Sequence, residues 1–155
     1  MHRNSKQEIM DTFIIITNET GTYEQQVDGD KYFELVTDTK VRATIKPNKE
    51  LSRVYNEDCE ALLVFDCHAF VGPENEEVTC RLTRERYWDE GEDFDLDYEL
   101  ECEMKDLQSG EIDINDPKDK LGRKYKEQII EHSTLLKQVC IGEPRLIKPT
   151  VKYFE

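Results

Sequence analysis

The sequence has no apolar run long enough to serve as a signal peptide or to cross a membrane. Its polar start, MHRNSKQEIMD, leads only into the short stretch 13–16. It also lacks a Gly-rich phosphate loop, a GxSxG elbow and any metal-spaced cluster of Cys and His, which removes the common signatures of nucleotide, acyl-transfer and zinc chemistry. Bases are scarce beside acids: 21 Lys and Arg against 35 Asp and Glu leave a formal charge of −14. Such a surface repels phosphates and anionic lipid, so direct binding to nucleic acid or a membrane is not expected, and basic partners are favoured. The five cysteines, Cys59, Cys67, Cys80, Cys102 and Cys140, are odd in number and lack CxxC spacing. Four sit inside apolar patterns, so they read as reduced core thiols in a reducing compartment, and a cytoplasmic location is expected.

What is present is enough for one compact domain. A chain of 155 residues with 37% apolar residues, 14 aromatics (6 Phe, 7 Tyr and 1 Trp) and many β-branched side chains can build a core. Residues 1–11 read as a flexible lead and 1–155 as a single domain. Strands are expected at 12–18, 23–27 and 31–37, the last two joined by a hairpin turn at Asp28-Gly29-Asp30. The stretch 39–45 alternates Val41, Ala43 and Ile45 inward against Lys40, Arg42 and Thr44 outward, and stops at Pro47. No element is assigned to the polar stretch 47–58. Residues 60–71 are apolar on both faces, as a central strand requires, and 78–88 alternate again after a turn at 72–75.

Residues 93–105 dominate the reading. Phe94, Leu96, Tyr98, Leu100, Cys102 and Met104 occupy every second place, with Asp93, Asp95, Asp97, Glu99, Glu101 and Glu103 between them. Strict alternation predicts a strand carrying six carboxylates in one row about 33 Å long. Hairpin pairing with 78–88 sets that row beside Thr79, Arg81, Thr83, Glu85 and Tyr87, where Arg81 is the one counter-ion. Arg84 and Arg86 are expected to hold the acidic turn 89–92. A helix capped by Asp116 and opened by Pro117 then runs about 22 residues with the stripe Leu121, Tyr125, Ile129, His132, Leu136 and Val139. Its cationic side is Lys118, Lys120, Arg123, Lys124 and Lys126. Gly142 and Pro144 end it, and 145–154 is a closing edge strand. The fold class is α+β and strand-rich: a sequential antiparallel sheet, barrel or sandwich, with one C-terminal helix packed on it and a closing strand.

Catalytic patterns are fragmentary. Asp93, Asp95 and Asp97 copy the first ligands of a calcium loop, but Tyr98 stands where Gly is needed and Met104 where Glu is needed. Glu101-Cys102-Glu103-Met104-Lys105 is similar to the ExExK strand of the triphosphate-tunnel enzymes, though it comes late in the chain and without their many inward bases. Asp66 and His68 share one face of the central strand with no nucleophile beside them and read as a satisfied core pair. The expectation is a non-enzymatic binding or inhibitory protein, without cofactor or metal. Its partner-binding residues are Asp93, Asp95, Asp97, Glu99, Glu101 and Glu103, and its partner is a basic protein surface. A sharper form is mimicry of a nucleic-acid backbone that blocks a nucleic-acid-binding enzyme, as small acidic inhibitors from phage and mobile elements do. The alternatives are a metal-dependent phosphohydrolase using Glu101, Glu103 and Lys105, or a structural subunit of a larger assembly.

Overall fold

The computed structural model describes residues 12–150. The expected flexible lead at 1–11 and the end of the closing strand lie outside them. The protein is α+β and strand-rich; among the described residues there are seven strands in two antiparallel sheets, three helices, and no closure into a barrel. Two compact units divide the chain within helix α1 (Gly29–Asp38): one holds the segments up to Leu35 and from Thr134, the other Val36–Ser133. No helix among the described residues is long and apolar enough to cross a membrane.

In the first unit β1 (Thr12–Asn18) and β2 (Gly21–Val27) form a hairpin, and β7 (Cys140–Pro149) adds to the free edge of β2. The closing strand is therefore present, but it starts at Cys140 rather than 145. Gly142 and Pro144 lie inside it and do not end a helix. Their irregular backbone produces a register shift opposite Gln25, whose buried amide donates to the carbonyls of Ile141 and Gly142 and satisfies the groups the bulge leaves open. Ile14, Val27, Leu136 and Val139 form the core here, with Ile16, Tyr32, Leu35 and Cys140 against it.

The strand expected at 31–37 is helix α1. Asp28 is the reason: its carboxylate accepts from the main-chain N–H groups of Asp30 and Lys31, and its carbonyl accepts from Tyr32. An Asp-Gly pair that can turn a hairpin also caps a helix, and Tyr32, Leu35 and Val36 at spacings of three and four supply its buried face.

The second unit is built on β5 (Glu60–Val71), the central strand its two-sided apolar pattern implies. β6 (Glu76–Tyr87) pairs along its whole length. β3 (Val41–Pro47) and the short β4 (Arg53–Tyr55) share its other edge end to end, β3 opposite Phe65–Val71 and β4 opposite Glu60–Leu62. Between them the chain leaves the edge, and side chains stitch the gap. Asn48 N–H donates to the Val64 carbonyl, Ser52 Oγ accepts from the Val64 N–H, and Asn48 Oδ1 accepts from Leu51. Val41, Ala43 and Ile45 point inward as expected, with Ala61, Leu63, Phe65, Cys67, Ala69 and Val71 beside them.

Residues 93–105 are not a strand. Leu96–Ser109 is helix α2, capped at its start by Asp95, whose carboxylate accepts from Tyr98 N–H, and closed by Gly110 at φ 88 in the left-handed region. Three features of the sequence select the helix. Residues 93–110 contain no Val, Ile or Thr. Leu, Glu, Met and Lys are strong helix formers. Leu96, Leu100, Met104 and Leu107 recur at four, four and three, so one helical face is apolar. The row of six carboxylates about 33 Å long therefore does not form: Asp93 and Asp95 precede the helix, and at 100° per residue Asp97, Glu99, Glu101 and Glu103 are distributed around it.

The C-terminal helix of about 22 residues is shorter than expected. Helix α3 (Lys120–Glu131) is 12 residues, capped by Asp119 and not Asp116, followed by a 3₁₀ turn at Thr134–Gln138. It packs on the sheet: Tyr125 meets Phe65 edge to face at 6.1 Å, and the Gln128 amide bonds both the N–H and the carbonyl of Thr83.

Candidate functional site

The six acids expected to form one surface do not share one environment. Glu103 is buried, accepting a hydrogen bond from the Tyr125 hydroxyl at 2.6 Å and a very short contact from Arg84 Nη1. Glu99 binds Arg86 Nη2 at 2.6 Å and Nε at 3.1 Å. Arg84 and Arg86 thus hold the helix and not the acidic turn. Asp97 pairs with Lys49 at 2.8 Å on the surface, and Asp95 caps the helix. Only Asp93 and Glu101 are exposed without such a bond among the described residues. Glu101 and Glu103 lie roughly 200° apart around the helix axis, one in solvent and one in the core, so the ExExK pattern does not present its acids on one face.

Burial and the Glu103 carboxylate push the Tyr125 hydroxyl well above its usual range, so it stays a neutral donor. The cationic side expected of the C-terminal helix is also broken up. Lys126 is buried, and burial lowers its ammonium against the pull of Asp38 and Asp113, while Arg123 reaches Glu127 and the Pro117 carbonyl. Asp66 and His68 are on the exposed face of β5 and not in the core. They pair across the sheet with Arg81 at 3.5 Å and Glu77 at 2.6 Å, not with each other.

Exposed negative charge gathers instead at one end of the four-stranded sheet. The register sets Tyr55, Glu60 and Tyr87 side by side across β4, β5 and β6. Just beyond, the turn at Asn56–Asp58 and the loop 88–95 are tied by a bond from Trp88 N–H to the Cys59 carbonyl. Trp88 stacks on Phe94 at 4.2 Å with an interplanar angle of 15°, which closes the loop on itself. Glu92 Oε1 accepts from the Asp89 N–H, and its own N–H donates to the Asp89 carbonyl. The loop is therefore an ordered presentation of Asp89, Glu90, Glu92 and Asp93, with Glu57 and Asp58 alongside.

Among the described residues no ion pair engages any of these six acids. The nearest bases in sequence are occupied: Arg86 by Glu99, and Arg53 by the carbonyls of Glu50 and Ser52. Tyr55 and Tyr87 stand exposed at 47% and 61%, and Tyr87 donates to Glu85, whose carboxylate raises its hydroxyl above the ordinary tyrosine range. Carboxylates beside exposed phenols suit guanidinium and ammonium groups, which gain both charge pairing and contact with a ring face. Of the six acids expected from the alternation, Asp93 alone lies in this cluster. The rest was missed, although the run DEGED after an aromatic pair was visible in the sequence. No protein-family model, no curated protein and no solved structure matches this chain.

Proposed function

We propose that this protein is a non-enzymatic binding protein that engages a basic protein surface through the acidic, tyrosine-bearing end of its four-stranded sheet. The observation that carries the reading is the ordered loop 88–95 with Glu57 and Asp58 beside it: six exposed carboxylates with no ion pair among the described residues. The charge of −14 adds long-range attraction that speeds encounter with a basic partner and weakens as salt rises. A partner that itself binds nucleic acid is the sharper form, since a surface built to hold phosphates also fits a patch of fixed carboxylates.

The test is capture of partners by the immobilised protein from lysate of its own source, over a range of salt, with two variants. One carries Asp89→Lys, Glu90→Lys, Glu92→Lys and Asp93→Lys. The other carries Glu74→Lys and Glu111→Lys, two exposed acids away from the loop. Loop reversal abolishes capture and control reversal leaves it, and added duplex DNA competes when the partner binds nucleic acid. Equal capture by both variants would exclude this surface.

A further inference from the structure

We propose that Cys67 and Cys80 form a redox-reversible cross-strand disulfide, a modification site within the β5–β6 pair. The two residues are direct partners in the antiparallel register. Directly opposed residues of such a pair have Cα atoms about 4.5 or 5.5 Å apart depending on the hydrogen-bonding position, and both values lie in the range a disulfide spans. Both side chains are on the same buried face, flanked by the pairs Phe65–Leu82 and Ala69–Val78. Neither backbone needs to move far for the sulfurs to bond. Cys59 and Cys102 have no opposed cysteine, and Cys140 faces Val27, so 67–80 is the pair that strand register brings together.

Hydrogen peroxide supplies the oxidant. One thiolate attacks an oxygen of the peroxide, breaking the O–O bond to give a sulfenic acid and one water. The second sulfur displaces hydroxide from that sulfenic sulfur, forming the S–S bond and a second water. Two thiols and one peroxide thus become one disulfide and two waters. The first step needs transient opening of the sheet, because Cys80 is 8% and Cys67 2% exposed, so the pair responds slowly and then resists over-oxidation. The product staples the two longest strands of the unit around the turn at 72–75.

Exposure of the native protein to graded peroxide tests the proposal, read by intact mass, by thiol counting and by peptide mapping. The expected result is loss of two hydrogens, a fall from five free thiols to three, and a 67–80 crosslinked peptide that dithiothreitol removes. Its thermal midpoint rises on oxidation and returns on reduction. Cys80→Ala keeps four thiols and forms no intramolecular bond, and Cys67→Ala does the same, so misfolding of one variant is checked by the other. Addition of oxygen at Cys59, Cys102 or Cys140 while Cys67 and Cys80 stay reduced would overturn it, as would a disulfide of any other pairing.

Discussion

Replacing Glu103 by Ala removes the acceptor that α2 places in the core of the second unit, and its cost follows from what is left behind. The Arg84 side chain, 24% exposed, loses its partner, and the Tyr125 hydroxyl, in a residue 1% exposed, keeps a donor with nowhere to go. Removing one partner of a buried pair costs about 3–5 kcal/mol, and an unsatisfied buried hydroxyl about 1–3 kcal/mol. Water entering the vacated space recovers part of this, so the expected loss is about 4 kcal/mol. Against a domain stability of roughly 5–15 kcal/mol that is a large fraction. Glu103→Gln keeps the shape and an acceptor for Tyr125 while losing the charge, and falls between. The triple change Arg84→Met, Glu103→Leu and Tyr125→Phe removes every polar member and returns most of the lost stability. Denaturant titration followed by far-ultraviolet circular dichroism gives the free energies. Fluorescence of Trp88, the single tryptophan, reports the loop that leads into α2. The raised Tyr125 hydroxyl adds an alkaline check: its stabilisation is complete below the usual value of 10.0 and is lost as pH climbs through the raised one, a loss absent from Tyr125→Phe. A Glu103→Ala cost below about 1 kcal/mol, or a triple variant no more stable than the single one, would refute the account.

Gly122→Ala in helix α3 is expected to destabilise by about 1–3 kcal/mol, although Ala is the better helix former, because a Cβ there would stand 2.1 Å from the Asp113 carbonyl oxygen. Thermal unfolding gives the sign. Asp119→Ala removes the cap that accepts from Gly122 and Asp113 and costs about 1 kcal/mol at neutral pH. Those hydrogen bonds lower its carboxyl below 3.8, so its contribution is present above that value and disappears as pH falls through the lowered one; an acid titration of both proteins shows the gap closing. Lys126→Met relieves a buried ammonium that no hydrogen bond reaches among the described residues, and stabilises by on the order of 1 kcal/mol. Burial lowers Lys126, so the wild type gains stability as pH rises from the lowered value toward 10.5, and the variant does not; stability measured along that rise checks both signs.

The sheet was more legible than the helices, and the reason is local. β5 and β3 carry β-branched and aromatic residues in a pattern that fits one period, and the inward faces assigned to them are the faces observed, although Asp66 and His68 are exposed on the other face of β5. Residues 93–105 fit two periods at once. Any strict alternation contains places four apart, so Leu96, Leu100 and Met104 line a helix as readily as a strand, and Leu107 extends only the helical row. The absence of β-branched residues and the Asp95 and Gly110 caps were the deciding local signals. The Asp28-Gly29 pair was ambiguous in the same way, because one carboxylate can serve a turn or a helix start.

By itself the sequence determined the excess of acid, the strand-rich α+β class, the faces of the central strand and the buried placement of Cys67 and Cys80. Periodicity and charge are properties of neighbouring residues, and neighbours are all a sequence displays. Only the tertiary structure decided which acids remain exposed without an ion pair among the described residues. Glu103 and Glu99 are engaged because α2 lies where Arg84 and Arg86 reach them, and Asp89, Glu90, Glu92 and Asp93 stay outside because a Trp88–Phe94 stack holds their loop at the end of the sheet. A carboxylate is the same group in either place, and its role follows from the base and the water it meets after folding.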